Sequence, residues 1–156
     1  MSFERTTSQI LFDNGTHKCI SFTSLVKGEG IQANQFLIID HDRAAVLDPG
    51  GDLTYVPLTM ELNRYTKLKN LDYVMASHQD PDIITSMPRW LVYTDAKVVA
   101  SKLWARFLPH LNSAFMSDRM KGNWEDRLMA LGDTGQVIPL GESAIVAIPA
   151  HFLHSV

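Results

Sequence analysis

Between residues 77 and 83 the chain reads "SHQDPDI" and sets one imidazole and two carboxylates at alternate positions: His78, Asp80 and Asp82. Neutral imidazole and ionised carboxylate are groups that bind divalent metals. Asp80 precedes Pro81, which drives its backbone toward an extended conformation. In extended chain, residues two apart point the same way. Proline also suits the first turn of a helix, where its missing N–H costs little. The pattern therefore predicts three donors converging at a strand-to-helix junction, with the positive end of the helix favouring ionised carboxylates. The plainer alternative is a helix cap formed by Asp80 or Asp82, with His78 incidental.

A second cluster, "PAHFLHSV" (149–156), also follows an apolar run and carries His151 and His154. In an extended segment these positions point to opposite faces, so one imidazole is the better ligand and the other a supporting or surface residue. A pair of surface-loop histidines is the alternative. Two donor clusters, each at the end of an apolar strand, favour a shared metal site. Mixed carboxylate and imidazole ligands suit iron or manganese as well as zinc, and the two carboxylates tilt the choice toward iron.

The elements that must position these donors follow from the hydrophobic pattern. "KCISFTSLV" (18–26), "NQFLIID" (34–40) and "RAAVLD" (43–48) predict strands, the last two joined by "HD" as a hairpin. "PGGD" breaks the chain, and "VPLTMELNRYTKL" (56–68) has helical spacing with Pro57 near its start. "LDYVMAS" (71–77) is an apolar strand that delivers the first donor cluster. "DIITSMPRWLVY" (82–93) predicts a short helix interrupted near Pro88, "AKVVAS" (96–101) a strand and "KLWARFLPHL" (102–111) a helix. Residues 112–135 predict loop with a short helix. "QVIPL" (136–140) and "SAIVAIPA" (143–150) predict a strand pair around "GE". A meander followed by strands alternating with helices indicates a sheet covered by helices, an α/β or α+β layered domain.

Bulk properties narrow the setting. At 156 residues the chain suits one domain, and 46% hydrophobic with 20% charged residues is ordinary for a globular protein. Fourteen Lys and Arg against seventeen Asp and Glu leave a net charge of -3, which offers no general attraction for nucleic acid. Lys102, Arg106, Arg119, Lys121 and Arg127 interleave with Trp104, Phe107 and Trp124, but Asp118, Glu125 and Asp126 dilute them into a mixed surface. The single cysteine, Cys19, the lack of a signal-peptide pattern and the absence of an apolar run of about 18 residues predict a cytoplasmic protein without a membrane span. Gly28-x-Gly30-x-x-Ala33 leads into a strand rather than a helix, so it is not a dinucleotide site. No G-x-S-x-G offers a serine nucleophile.

The donor clusters and their order resemble the metallo-β-lactamase fold superfamily, and within it the flavodiiron proteins and related oxygen-binding diiron proteins. The superfamily's first metal motif, H-x-[HED]-x-D-H, aligns with His78, Asp80 and Asp82, with a carboxylate at the middle position as in diiron variants and Ile83 where the last His would stand. "LHSV" (153–156) resembles the start of the next motif, which favours His154 over His151 as a ligand. "NQFLIID" with "AVLDPGG" (45–51) resembles the superfamily's N-terminal hairpin and Asp-Pro-Gly turn, implying a supporting role for Asp48. The resemblance implies that residues 1–156 form a single domain, the N-terminal part of an αββα sandwich lacking its C-terminal half. A bridging Asp and a final His belong to the portion beyond the last matched motif.

The activity implied is that of a non-heme diiron-type metalloprotein that binds or reduces dioxygen or nitric oxide, with two iron ions as cofactor and zinc or manganese as alternatives. By the same resemblance His78, Asp80 and His154 would serve one iron and Asp82 the other. Reduction needs electrons, typically from a flavodoxin-like domain, which implies an electron-donor protein as partner or gas binding alone. Two rival readings remain: a metal-dependent hydrolase in which Asp82 orients a metal-bound water, and a degenerate or truncated scaffold without catalysis. A half-sandwich leaves sheet surface uncovered, which predicts a homodimer or larger assembly.

Overall fold

Apolar residues in the first strands alternate between two faces. The computed structural model, which describes residues 7–111, 118–120 and 122–150, shows what each face meets. Strands β1 (Ser8–Asp13), β2 (His17–Phe22), β3 (Gln35–Asp40) and β4 (Arg43–Leu47) form an antiparallel meander. The expected two-residue turn joins β3 to β4, with His41 at the left-handed φ of 55° that such turns use. Beyond β4 the pairing becomes parallel, through β5 (Leu71–Met75), β6 (Lys97–Ser101) and β7 (Leu128–Leu131), so that the seven strands lie in chain order. Parallel neighbours require crossovers. These are supplied by α1 (Asp52–Leu62), by α2 (Pro81–Ile84) with α3 (Met87–Tyr93), and by a segment containing the 3-10 turns Ala105–Leu111 and the short α4 (Trp124–Arg127).

Four elements differ from the sequence expectation. β1 lies in a stretch given no structure. The first helix begins at Asp52 and ends at Leu62 rather than spanning 56–68, because Gly50 and Gly51, not Pro57, release the chain into it. The segment 102–111 forms 3-10 turns rather than an α-helix, and Pro109 within it has no N–H to sustain α-type bonding. "LMAL" is rich in helix formers, but pairing with β6 makes it β7.

On one face of the sheet, Leu37, Ile39, Ala44, Val46 and Val74 pack against Tyr55, Leu58 and Leu62 of α1 and Trp90 of α3. Tyr55 meets the Trp90 ring edge-on at 5.1 Å, and burial pushes its phenol pKa up to about 12. The Arg127 guanidinium, buried beneath α3, donates to the carbonyls of Leu91, Thr94 and Ala96 and closes that helix's C-terminal end. On the opposite face, Ala45, Met75, Val99 and Leu131 meet Ile138 and Leu140 of β8 (Gln136–Leu140), which pairs with β9 (Ser143–Ala147) as the expected hairpin. The result is a helical layer, a seven-stranded sheet and a two-stranded second sheet. Among the described residues no helix is long and apolar enough to cross a membrane.

One carboxylate ties the two sheets together. Asp40, at the end of β3, accepts the amides of Glu142 and Ser143 in the β8–β9 turn at 2.6 and 2.9 Å. His17 and His41 flank it, with Nδ1 atoms at 3.5 and 3.3 Å. Gly141 sits at φ +60°, and a Cβ there would lie 2.6 Å from Asp40 Oδ2, so only glycine lets the turn approach this closely. Burial alone would push the Asp40 carboxyl up, but the Glu142 and Ser143 donors and the two imidazoles outweigh it and hold the pKa below the ordinary value. A depressed folded pKa means the tie is present above the unfolded value and is lost as pH falls through the folded one. We therefore expect Asp40→Asn to lower the melting temperature at pH 7, with the gap to the parent protein closing below pH ~4. Melting curves recorded from pH 7 to pH 3 check this, and a gap that persists unchanged at low pH would contradict it.

Candidate metal centre

The donor cluster at 78–82 sits where β5 ends, and its backbone is fixed by the loop that follows β4. Gly50 donates its N–H to the Ile83 carbonyl (2.8 Å) and accepts from the Ser86 N–H (3.0 Å). Ser86 Oγ donates to the Pro49 carbonyl (3.0 Å) and receives the Trp90 indole N–H (3.2 Å). The two loops thus satisfy each other's polar groups where no strand partner remains, as buried backbone requires. Gly50 has φ +82°, and a Cβ there would lie 2.7 Å from the Thr54 side chain.

Asp48 is the pivot of this clasp. It holds a left-handed φ of 56°, uncommon outside glycine but tolerated by Asp. That conformation turns its carboxylate onto Ser77, where Oδ1 accepts the backbone N–H at 2.8 Å and Oδ2 accepts the hydroxyl at 2.9 Å. Burial pushes the Asp48 carboxyl up, and the charge of Asp82 adds to this. The Ser77 donors and His78 oppose the rise without cancelling it. Because Ser77 spends its proton on Asp48, its Oγ is an acceptor toward His78 Nδ1, 3.0 Å away. With Ser77 as acceptor the network favours a proton on Nδ1, and Nε2 faces the Asp80 carboxylate.

His78 Nε2 lies 3.4 Å from Asp80 Oδ2. Two donors bonded at about 2.1 Å to one tetrahedral metal are separated by about that length, so the pair fits adjacent positions around a divalent cation. An imidazole whose far nitrogen is held by a hydrogen-bonded relay to a carboxylate is the usual support of a metal-bound histidine. Asp80 is extended (φ -64°, ψ 142°), as expected before proline, and Pro81 opens α2. Asp82 follows in the first turn, where its charge reaches Asp48. With four residues, α2 is too short for the helix-end field expected from the sequence. Ile83, at the position where the superfamily motif carries its last His, is buried among Ala76, Ile84 and Met87.

Among the described residues, no three His, Cys, Asp or Glu side chains are grouped so as to hold a metal by themselves. His78 and Asp80 come together, and Asp82 does not complete a three-residue ligand group with them. His151 and His154 lie outside the described residues. Ser77 and the end of the β9 segment, Ala147 and Ile148, line one cavity of about 310 Å³, whose other walls are apolar and include Leu47, Met75 and Val99.

The family model described as ODP family beta lactamase matches residues 31–156. The chain belongs to that family. A solved structure described as the peroxy diiron species of the chemotaxis sensor ODP superposes on 96% of this ODP-family chain with a TM-score of 0.76 at 30% identity. The chain spans 56% of that relative. The putative diflavin flavoprotein A 4 of Synechocystis is 33% identical over 95 residues, 58% of this chain and 16% of its own length. The subclass B3 metallo-β-lactamase MEM-A1, from a soil metagenome library, covers 86% of this chain and 52% of its own at a TM-score of 0.65 and 19% identity, a likeness of fold alone. The fold is therefore metallo-β-lactamase-like, as the sequence resemblance implied. The matched span includes both donor clusters and the Asp48 turn.

Sequence reasoning placed Asp48 in a supporting role but missed Ser77. A hydroxyl immediately before a donor histidine was the available signal. The relay makes a specific prediction for metal-free protein. In Asp48→Asn, the amide oxygen keeps the Ser77 N–H while the NH2 group donates to Ser77 Oγ, releasing the serine proton toward His78 Nδ1. The histidine 15N resonances at pH 8 should then show the proton moved from Nδ1 to Nε2. An unchanged 15N pattern would remove Asp48 from control of the ring.

Proposed function

We propose that this chain carries part of a non-heme diiron centre and that its function is to bind dioxygen or nitric oxide. The observation that carries the reading is the His78–Asp80 pair, in which an imidazole supported by a Ser77–Asp48 relay faces a carboxylate at ligand-to-ligand distance. A carboxylate at this position suits iron better than an all-imidazole set does. In this reading His78, Asp80 and His154 serve one iron and Asp82 serves the other, with His151 in support. The cavity shared by Ser77 and Ile148 supports convergence of the two clusters, since His78 and His151 follow its walls by one and three residues. Likeness to a diiron chemotaxis sensor supports the same choice of metal.

Bound iron would supply reversible binding of a diatomic gas and cycling between ferrous and ferric states. The chain's own part is to place the donors and shape their surroundings. Asp48 and Ser77 orient the His78 ring, and Pro81 holds Asp80 extended. Leu47, Met75 and Val99 keep the approach apolar, which suits an uncharged diatomic ligand. Reduction of the gas would need an electron-donor protein, and signalling would need a protein that reads the occupied state. Ferrous iron and the lone Cys19 suit a reducing cytoplasmic setting.

The hydrolase alternative gains nothing from the structure. Asp80 replaces an imidazole, and Ile83, where a further ligand would be needed, faces the core. Anaerobic loading with ferrous iron tests the proposal, with metal analysis and absorption spectra before and after air. The expected result is an oxygen-dependent visible band and loss of most bound iron in His78→Ala and Asp80→Ala, with His110→Ala unaffected. His154→Ala should lower iron more than His151→Ala. Equal iron in all variants would overturn the site. Preferred zinc binding with phosphodiesterase or lactamase turnover would replace the function with hydrolysis.

A further inference from the structure

The cavity beside Ser77 has walls that belong to different sheets. Leu47, Met75 and Val99 come from the seven-stranded sheet, and Ile145 to Ile148 from β9 and its extension. Among the described residues β9 pairs with β8 alone, so its place over the cavity is set by whatever holds the hairpin to the large sheet. Two things do so. Ile138 and Leu140 pack on Ala45, Met75 and Val99, and the Asp40 carboxylate accepts the amides of Glu142 and Ser143. Apolar contact has no direction, whereas hydrogen bonds to an ionised carboxylate fix an orientation. Asp40 is 4% exposed and is braced by His17 of β2 and His41 of the β3–β4 turn. His41 also reaches across the junction, with Nε2 3.7 Å from Glu142. Asp40 pairs with Arg43 at the start of β4, while Ser77 follows the end of β5, so clasp and cavity lie toward opposite ends of the sheet.

We propose that Asp40 is a remote positioning residue for the metal centre: its clasp on the β8–β9 turn fixes the gap between the two cavity walls, and so how closely the donors that follow β9 approach His78 and Asp80. The effect on the gap needs no metal, and the effect on the donors rests on the diiron reading. Length makes the coupling strong. β9 is about 17 Å long. A tilt of about 10° over that length shifts one end against the other by about 3 Å. Metal sites hold their ligand distances to within about 0.2 Å. A small rotation at the clasp therefore exceeds what shared ligation tolerates. The seating of the turn is close as well as directed. A Cβ on Gly141 would lie 2.6 Å from Asp40 Oδ2 and 2.7 Å from the Asp40 carbonyl oxygen, so the turn rests directly on this residue. Asp40 acts through the hairpin and not on the metal itself. The Asp48–Ser77 relay stands on the large sheet and is independent of it.

Two variants open the clasp by different chemistry. Asp40→Asn removes the charge, and Gly141→Ala pushes the turn away while leaving Asp40 and both histidines in place. Spin labels at Val137→Cys on β8 and Lys97→Cys on β6, in a Cys19→Ser background, report the gap in metal-free full chain. The distance between them should be narrowly distributed in the parent and shifted or broadened in both variants. Ferrous iron affinity, measured anaerobically, should fall more than about 10-fold in each. The histidine 15N pattern of His78 at pH 8 should stay as in the parent, which a general loosening of the fold would not allow. Leu62→Ala lowers stability from the helical side of the sheet and should keep parental iron affinity and the parental distance. Unchanged distances, parental iron affinity in both clasp variants, or an equal loss of iron in Leu62→Ala would overturn the proposal. A parent that binds no iron would overturn the diiron reading and with it the coupling to the donors, and the metal-free distances would still decide whether Asp40 sets the gap.

Discussion

The side chain on which the candidate centre depends is Asp48. A chain leaving the end of a parallel strand loses its ladder partners, and its polar groups must be met by something else. Here two successive strand ends meet each other's needs. Asp48, held in a left-handed conformation, accepts both protons that Ser77 offers, and the Gly50–Ser86 segment exchanges main-chain bonds with the following turn. The carboxylate is half-buried, and the rise in its pKa reflects the cost of keeping it charged there. Nothing in the packing of β4 against β5 requires that cost, since Val46 and Val74 pair without it. Its return lies in orientation, because one half-buried anion decides which nitrogen of His78 faces outward.

Asp40 performs a related task at the other end of the same meander. It joins the large sheet to the small one by accepting two successive amides from a turn about a hundred residues later in the chain. The β8–β9 hairpin buries Ile138 and Leu140 but leaves its outer residues exposed, so apolar contact alone holds it by one edge of its pattern. A charge-assisted pair of hydrogen bonds adds direction to that contact. The hairpin is thereby aimed so that β9 ends over the wall formed by Met75 and Ser77.

Much of this was legible in the residues, for identifiable reasons. β3, β4, β5 and β6 declared themselves because β-branched and apolar residues alternate between two buried faces. The β8–β9 hairpin was marked by "GE" between two apolar runs. Pro81 correctly fixed the extended Asp80 and the start of α2. Other features were hidden because tertiary contact overrides local preference. "LMAL" became a strand only through β6, and α1 accepted Pro57 inside its length because the Gly50–Gly51 break had already set its start. At the candidate centre, residue types announced His78 and Asp80, but the role of Ser77 required a backbone turn that no spacing rule contains. The grouping of His154 with them rests on sequence order, since 151–156 lie outside the described residues.

β4 has an antiparallel neighbour on one side and a parallel neighbour on the other. Its hairpin to β3 closes across two residues, whereas its pairing with β5 must wait for the whole α1 crossover to be made. The meander is accordingly the locally connected part of the molecule, and the parallel portion pairs against it across a longer span of chain. Asp48 and Ser77 stand on the two sides of that seam, so a transient parting of β5 from β4 would dismantle the relay while the first four strands stayed paired.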